Sequence, residues 1–264
     1  MNQYKEKLWL VAALSRRQFS QRYQGSFLGL LWPFLAAAIQ ITIYAFIFSV
    51  ILKTKWQQAG ISAPQEELPF WIVMFAGMTV YFFFSDNISA APGMIISVPN
   101  YVKKIKFPLA VLPIVNLLVS ITTSCVFLVV LVTAVAMIGT LHWHIILVPL
   151  VFIQAAFWCL GLSWTLSAAG VFVRDLQQAV PFLIQIMLFL TPIFYPASAA
   201  PKAFRVFIMI NPLAFLVETF RNLALWGTMP SWEVFSAWTA ASILFAYAGF
   251  MLFRRLRSTF ADVL

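Results

Sequence analysis

The chain has 264 residues, of which 62% are hydrophobic and 9% charged, and its formal net charge at pH 7 is +9. That balance excludes a soluble globular domain and describes a polytopic membrane protein. The positive charge sits in short clusters beside long apolar runs, so it reads as membrane topology and not as a nucleic-acid surface.

In chain order, residues 4–24 predict an amphipathic interfacial helix. At ~100° per residue Leu8, Val11, Ala12, Phe19 and Tyr23 share a stripe, flanked by Arg16 and Arg22, with Arg17 opposite and Leu10 and Leu14 off it. No cleavable secretory signal is expected, because the basic start leads into a full-length span. Six segments approach the ~20 apolar residues that a span needs: 26–52, 69–98, 108–138, 145–173, 180–196 and 235–253, the fifth being short. Between the last two, residues 202–227 are apolar but divided by Pro212 and interrupted by Glu218 and Arg221.

That segment is either a re-entrant hairpin or a seventh span, and charge decides between them. With six spans, twelve lysines and arginines share one side and five lie opposite, which by the positive-inside tendency puts both termini in the cytoplasm. A seventh span would strand Arg254, Arg255 and Arg257 outside. The expected fold is therefore an all-α polytopic membrane protein. It has six transmembrane helices, an amphipathic N-terminal interface helix and an extracytoplasmic re-entrant hairpin before the last span, in one transmembrane domain over residues 1–264.

Cys125 and Cys159 lie in apolar runs and suggest packing thiols, not a disulfide or metal site. His142 and His144 have no Cys, Asp or Glu nearby and fit a turn at the aromatic belt, so no metal is expected. No glycine is followed by lysine, so a Walker A loop is absent. No Ser, His and Asp set assembles on one side of the membrane, so no catalytic residues and no enzyme are expected.

Asp86 is the one acidic residue clearly within a span. It either lines a polar path or is a buried carboxylate bonded to hydroxyls such as Ser85 or Ser89, and the sequence leaves both open. Glu218 and Arg221, three apart, would meet on one helix face as a pair that steadies the hairpin. The loop 99–108 is basic and bracketed by prolines, with Tyr101, Val102, Ile105 and Phe107 at helical spacing, suited to docking in a cleft on a soluble partner. Tyr81, Phe82 and Phe84 in the second span, and Phe194 and Tyr195 at the end of the fifth, offer ring faces against which sugars can slide.

Four stretches together resemble the membrane subunit of type-two ABC exporters of lipid-linked polysaccharide, which include O-antigen, capsule and teichoic-acid exporters. They run from Arg22 to Trp32 (RYQGSFLGLLW), Pro99 to Pro108, Phe172 to Gln178 (FVRDLQQ) and Thr191 to Pro196 (TPIFYP), the last followed by Asn211-Pro212-Leu213-Ala214. The resemblance implies an inner-membrane homodimer with the conduit between the copies, and a separate ATPase homodimer that binds the ATP and Mg, so this chain needs no cofactor. It further implies that the N-terminal helix and the loop after the second span meet the ATPase. The coupling candidates are then Arg16, Arg17, Arg22, Pro99, Asn100, Tyr101, Lys103, Lys104 and Phe107. The glycan-path candidates are Tyr81, Phe82, Phe84, Asp86, Phe194 and Tyr195. O-antigen is the expected cargo. Capsule, teichoic acid, a small lipid or drug are alternatives, as is secondary transport through Asp86.

Overall fold

Long apolar runs can satisfy their own backbone groups within one segment only as helices, and every regular element among the described residues is helical. The computed structural model describes residues 3–23, 27–53, 68–103 and 107–263. Helix α1 spans Gln3–Tyr23, and a 3-10 turn at Gly29–Leu31 leads into α2, Trp32–Tyr44, which runs on through wider π-type turns at Ala45–Ile51. Then come α3 (Phe70–Ala90), the short α4 (Pro99–Lys103), α5 (Val111–Ile138), α6 (Val148–Phe172), α7 (Leu176–Leu190), α8 (Lys202–Ile210), α9 (Pro212–Arg221), α10 (Trp232–Leu256) and α11 (Phe260–Val263).

Five of these stretches are long and apolar enough to cross a membrane: those built on α2, α3, α5, α6 and α10. Helix α3 is buried along most of its length and forms the centre, whereas α2 buries only Pro33 and Ala37 and stands at the edge. The fifth expected span, 180–196, is shifted. Helix α7 begins earlier, at Leu176, and stops after 15 residues. Thr191 is extended (φ −90°, ψ 138°), as the residue before Pro192 prefers, so the helix cannot continue into Tyr195. At ~1.5 Å per residue α7 rises only about 22 Å.

Helices α8 and α9 meet at an 87° bend. The break is local chemistry: Asn211 is extended, its side-chain oxygen accepts the Leu213 N–H at 3.0 Å, and Pro212 occupies the first helical position. The second expected span also ends early, because Pro92 and Gly93 tighten the chain into a 3-10 turn after Ala90.

Two glycines set the crossing of α6 and α10. A Cβ on Gly249 would lie 2.4 Å from the Gly161 carbonyl oxygen, so the helices approach to backbone contact.

At one end of the bundle Leu10 and Leu14 of α1 pack with Phe107, Ala168, Val171, Phe253 and Phe260. Arg257 donates to the Phe107 carbonyl there at 3.0 Å. At the other end the ring of His142 abuts Gly227, whose φ of +60° turns the chain from the π-type turns after α9 toward α10. The two ends of the chain thus lie at the same end of the bundle.

Helix α1 docks through a face the expected stripe omitted. Leu10 and Leu14, which fall off that stripe, face the core, while Leu8 and Trp9 are exposed. Of the expected stripe, Leu8 and Ala12 are exposed but Val11 and Phe19 are half-buried, so the docked surface is broader than one stripe.

Candidate functional site

One row of α1, at spacing four, continues from Leu10 and Leu14 to Gln18 and Arg22, and the two polar members fasten the helix to the bundle. Gln18 donates to Asn116 on α5 at 3.1 Å, and Asn116 donates to Asn87 on α3 at 3.2 Å. One turn on, Arg22 grips Asp86 with both terminal nitrogens at 2.8 and 2.6 Å, while the Ser120 hydroxyl donates to the same carboxylate at 2.8 Å. Asp86 is therefore bonded to Arg22 and Ser120; of the two readings left open for it, the hydroxyl bond is present, but to Ser120 on α5 and not to Ser85 or Ser89. A two-pronged arginine–carboxylate contact fixes orientation as well as distance.

The ion pair lines a cleft of about 480 Å³ between α2 and the α3/α5 pair. Gln40 faces it from α2, Ser120 and Ser124 from α5, and Trp32, Phe82 and Phe127 supply its rings. Of the expected path residues, Asp86 and Phe82 come together here. Tyr81 and Phe84 do not: both are buried inside the subunit, and the Tyr81 hydroxyl donates to the Ile184 carbonyl at 3.0 Å. Phe194 instead joins a run of stacked rings, Phe70–Phe48–Phe194–Phe189, with centroids 4.9, 6.5 and 5.7 Å apart. The Tyr195 hydroxyl donates to the Phe189 carbonyl at 3.0 Å. Phe48 and Phe189 escaped the sequence reading, because each is a single ring in an apolar run.

The coupling candidates divide in the same way. Arg16 and Arg17 are exposed, and Arg17 with Tyr101 lines a second cleft of about 310 Å³ between α1 and the turn before α4. Pro99 and Asn100 are exposed at the start of α4. Tyr101 and Phe107, however, stack on each other at 4.7 Å and pack on the chain's own apolar cluster. Of the four apolar residues expected to dock on a partner, Tyr101 and Phe107 are thus turned inward, while Ile105 and the side chain of Val102 lie outside the described residues. Lys103 is the last residue of α4, and Lys104 lies outside the described residues.

In the hairpin, Arg221 is fully buried, and its guanidinium donates to the carbonyls of Val73 (2.9 Å), Pro192 (2.6 Å) and Ile193 (2.7 Å). Gly77 makes room for it: a Cβ there would lie 2.6 Å from a guanidinium nitrogen. Arg221 therefore does more than face Glu218 on one helix. It ties α9 to α3 and to the turn after α7.

The Arg22–Asp86 contact is testable by charge reversal. Arg22→Asp or Asp86→Arg alone should loosen α1, read as faster proteolysis within residues 3–23, and the double exchange should restore protection. Both side chains are partly exposed, at 40% and 30%, so the pair is worth about 1 kcal/mol or less. Equal proteolysis in all four proteins would remove the latch.

A family model described as ABC-2 type transporter matches residues 10–225. The chain is 29% identical over 258 residues to the O-antigen export system permease protein RfbA of Myxococcus xanthus, covering 96% of this chain and 94% of that one. It is 26% identical over 258 residues to a protein of the same description from Klebsiella pneumoniae, covering 97% and 95%.

Proposed function

We propose the following function for this chain, which belongs to the ABC-2 type transporter family: it is the permease subunit of an ATP-driven exporter of O-antigen. The observation that carries the reading is full-length similarity to permeases described as O-antigen export components, over about 95% of each chain. The working unit is a homodimer in the bacterial inner membrane, with both termini cytoplasmic. Its cargo is a polysaccharide held on a polyprenyl diphosphate. The shared end of the bundle that gathers α1, Phe107 and the C-terminal residues supports this topology, since it carries most of the lysines and arginines.

ATP and Mg belong to a separate ATPase subunit that meets this end through the exposed faces of α1 and α4. Movement imposed on α1 reaches the cleft through Gln18 and Arg22, because those side chains end on α3 and α5. Asp86 is held by an arginine and a serine, which disfavours a free proton-carrying acid and with it secondary transport.

The test is reconstitution of the chain with its partner ATPase in vesicles loaded with lipid-linked glycan. ATP-dependent appearance of glycan on the far face is the expected result, and deletion of the gene should trap polymer inside the cell. Movement without nucleotide, or surface polymer unchanged by the deletion, would refute the reading.

A further inference from the structure

We propose that the cleft between α2 and the α3/α5 pair within one subunit is a binding site for an uncharged saccharide unit. The inference rests on the exporter reading and adds to it a contact site built from the residues of one subunit.

The lining decides the ligand class. Asp86 and Arg22 form a closed pair of opposite charge, so an entering phosphate would meet a carboxylate already held by the arginine at 2.6 Å. A neutral ligand meets no such conflict, and the carboxylate oxygens and Gln40 offer acceptors and donors to hydroxyl groups. Two hydroxyls are left over for that purpose. The Thr123 oxygen is buried and has no hydrogen-bond partner among the described residues. Ser124, 5% exposed and lining the cleft, makes no hydrogen bond among the described residues.

The rings complete the pattern. Phe82 and Phe127 lie 5.5 Å apart, tilted by 37°, beside Trp32. Ring faces next to hydroxyl-bonding groups suit a sugar, which has apolar C–H faces and polar edges. Acyl chains fit poorly, because hydroxyls and an ion pair turned toward hydrocarbon would go unsatisfied. A cleft of about 480 Å³ holds a short saccharide, and one wall, α2, is thinly packed, so the occupant can leave. Conduction needs sites that bind weakly enough to release.

The direct test uses the complete transporter in nanodiscs, with Ser85→Cys at the cleft and Cys125→Ser removing the exposed native thiol, the buried Cys159 remaining. The probes are an oligosaccharide cut from the host's own surface polymer, freed of its diphosphate, and inorganic pyrophosphate. Millimolar oligosaccharide should slow maleimide labelling of the new cysteine about twofold, as expected of a site with a dissociation constant near that concentration. Pyrophosphate should not slow it. Protection by pyrophosphate alone, or by neither probe, overturns the proposal.

In cells, Ser124→Leu fills the cleft and should cut surface polymer on the order of tenfold, while the ATPase complex assembles and hydrolyses ATP. Gln40→Leu, at a part-exposed position, provides a second variant should Ser124→Leu fold poorly. Normal export in an assembled variant refutes the saccharide site alone. Normal surface polymer in the gene deletion refutes the exporter reading instead.

Discussion

Arg221→Met is expected to leave little folded protein in the membrane. Methionine fills a similar volume but donates nothing, so the carbonyls of Pro192 and Ile193, which lie in a turn outside any helical ladder, lose their donors. A buried polar group deprived of its partner costs about 1–3 kcal/mol. Several such losses consume much of the about 5–15 kcal/mol by which proteins are folded at all. Arg221→Lys keeps the charge but not the planar fork, so it should reach fewer of the three carbonyls and fall between the two. Abundance in the membrane fraction and the thermal midpoint of the detergent-purified protein measure this. A wild-type midpoint in Arg221→Met would mean that the clasp contributes nothing.

Gly249→Leu should be nearly as damaging, by the opposite route. Nothing is left unpaired. Instead a side chain must enter a space already taken by the Gly161 backbone, where even a Cβ sits 2.4 Å from the carbonyl oxygen and 3.0 Å from Cα. Backbone cannot swing aside as a flexible side chain does, so α6 and α10 must separate at their crossing. Overpacking costs about 1–3 kcal/mol and more where whole helices shift. Gly249→Ala should show the lower part of that range. Gly93→Ala is the control, since the nearest atom to its added Cβ is a glutamine side-chain oxygen at 3.8 Å. Equal midpoints for the Gly249 and Gly93 variants would mean that the crossing tolerates bulk.

The apolar runs, the proline-split hairpin and the short fifth helix were legible because each depends on local composition or on one residue's backbone limits. Asn211-Pro212 breaks a helix wherever it stands. Partners across helices were not legible. For Asp86 a sequence offers only near neighbours such as Ser85 and Ser89 as possible partners, whereas its actual partners lie 64 and 34 positions away. Phe48 and Phe189 lie among other apolar residues, so periodicity could not set them apart from their neighbours. For Tyr101 and Phe107 the reason is related: helical spacing shows that they can share a face, but not that both rings pack on the chain's own cluster.

The Arg221 clasp also bears on how the polypeptide is made. Its guanidinium closes a contact with Val73, 148 positions earlier, and with a turn 28 and 29 positions earlier. While the ribosome is still emitting the last third, the early helices can enter the bilayer, but the turn that holds Pro192 must wait with open acceptors. The clasp can therefore close only once residue 221 has been made, and any shorter nascent chain lacks the donor for all three carbonyls.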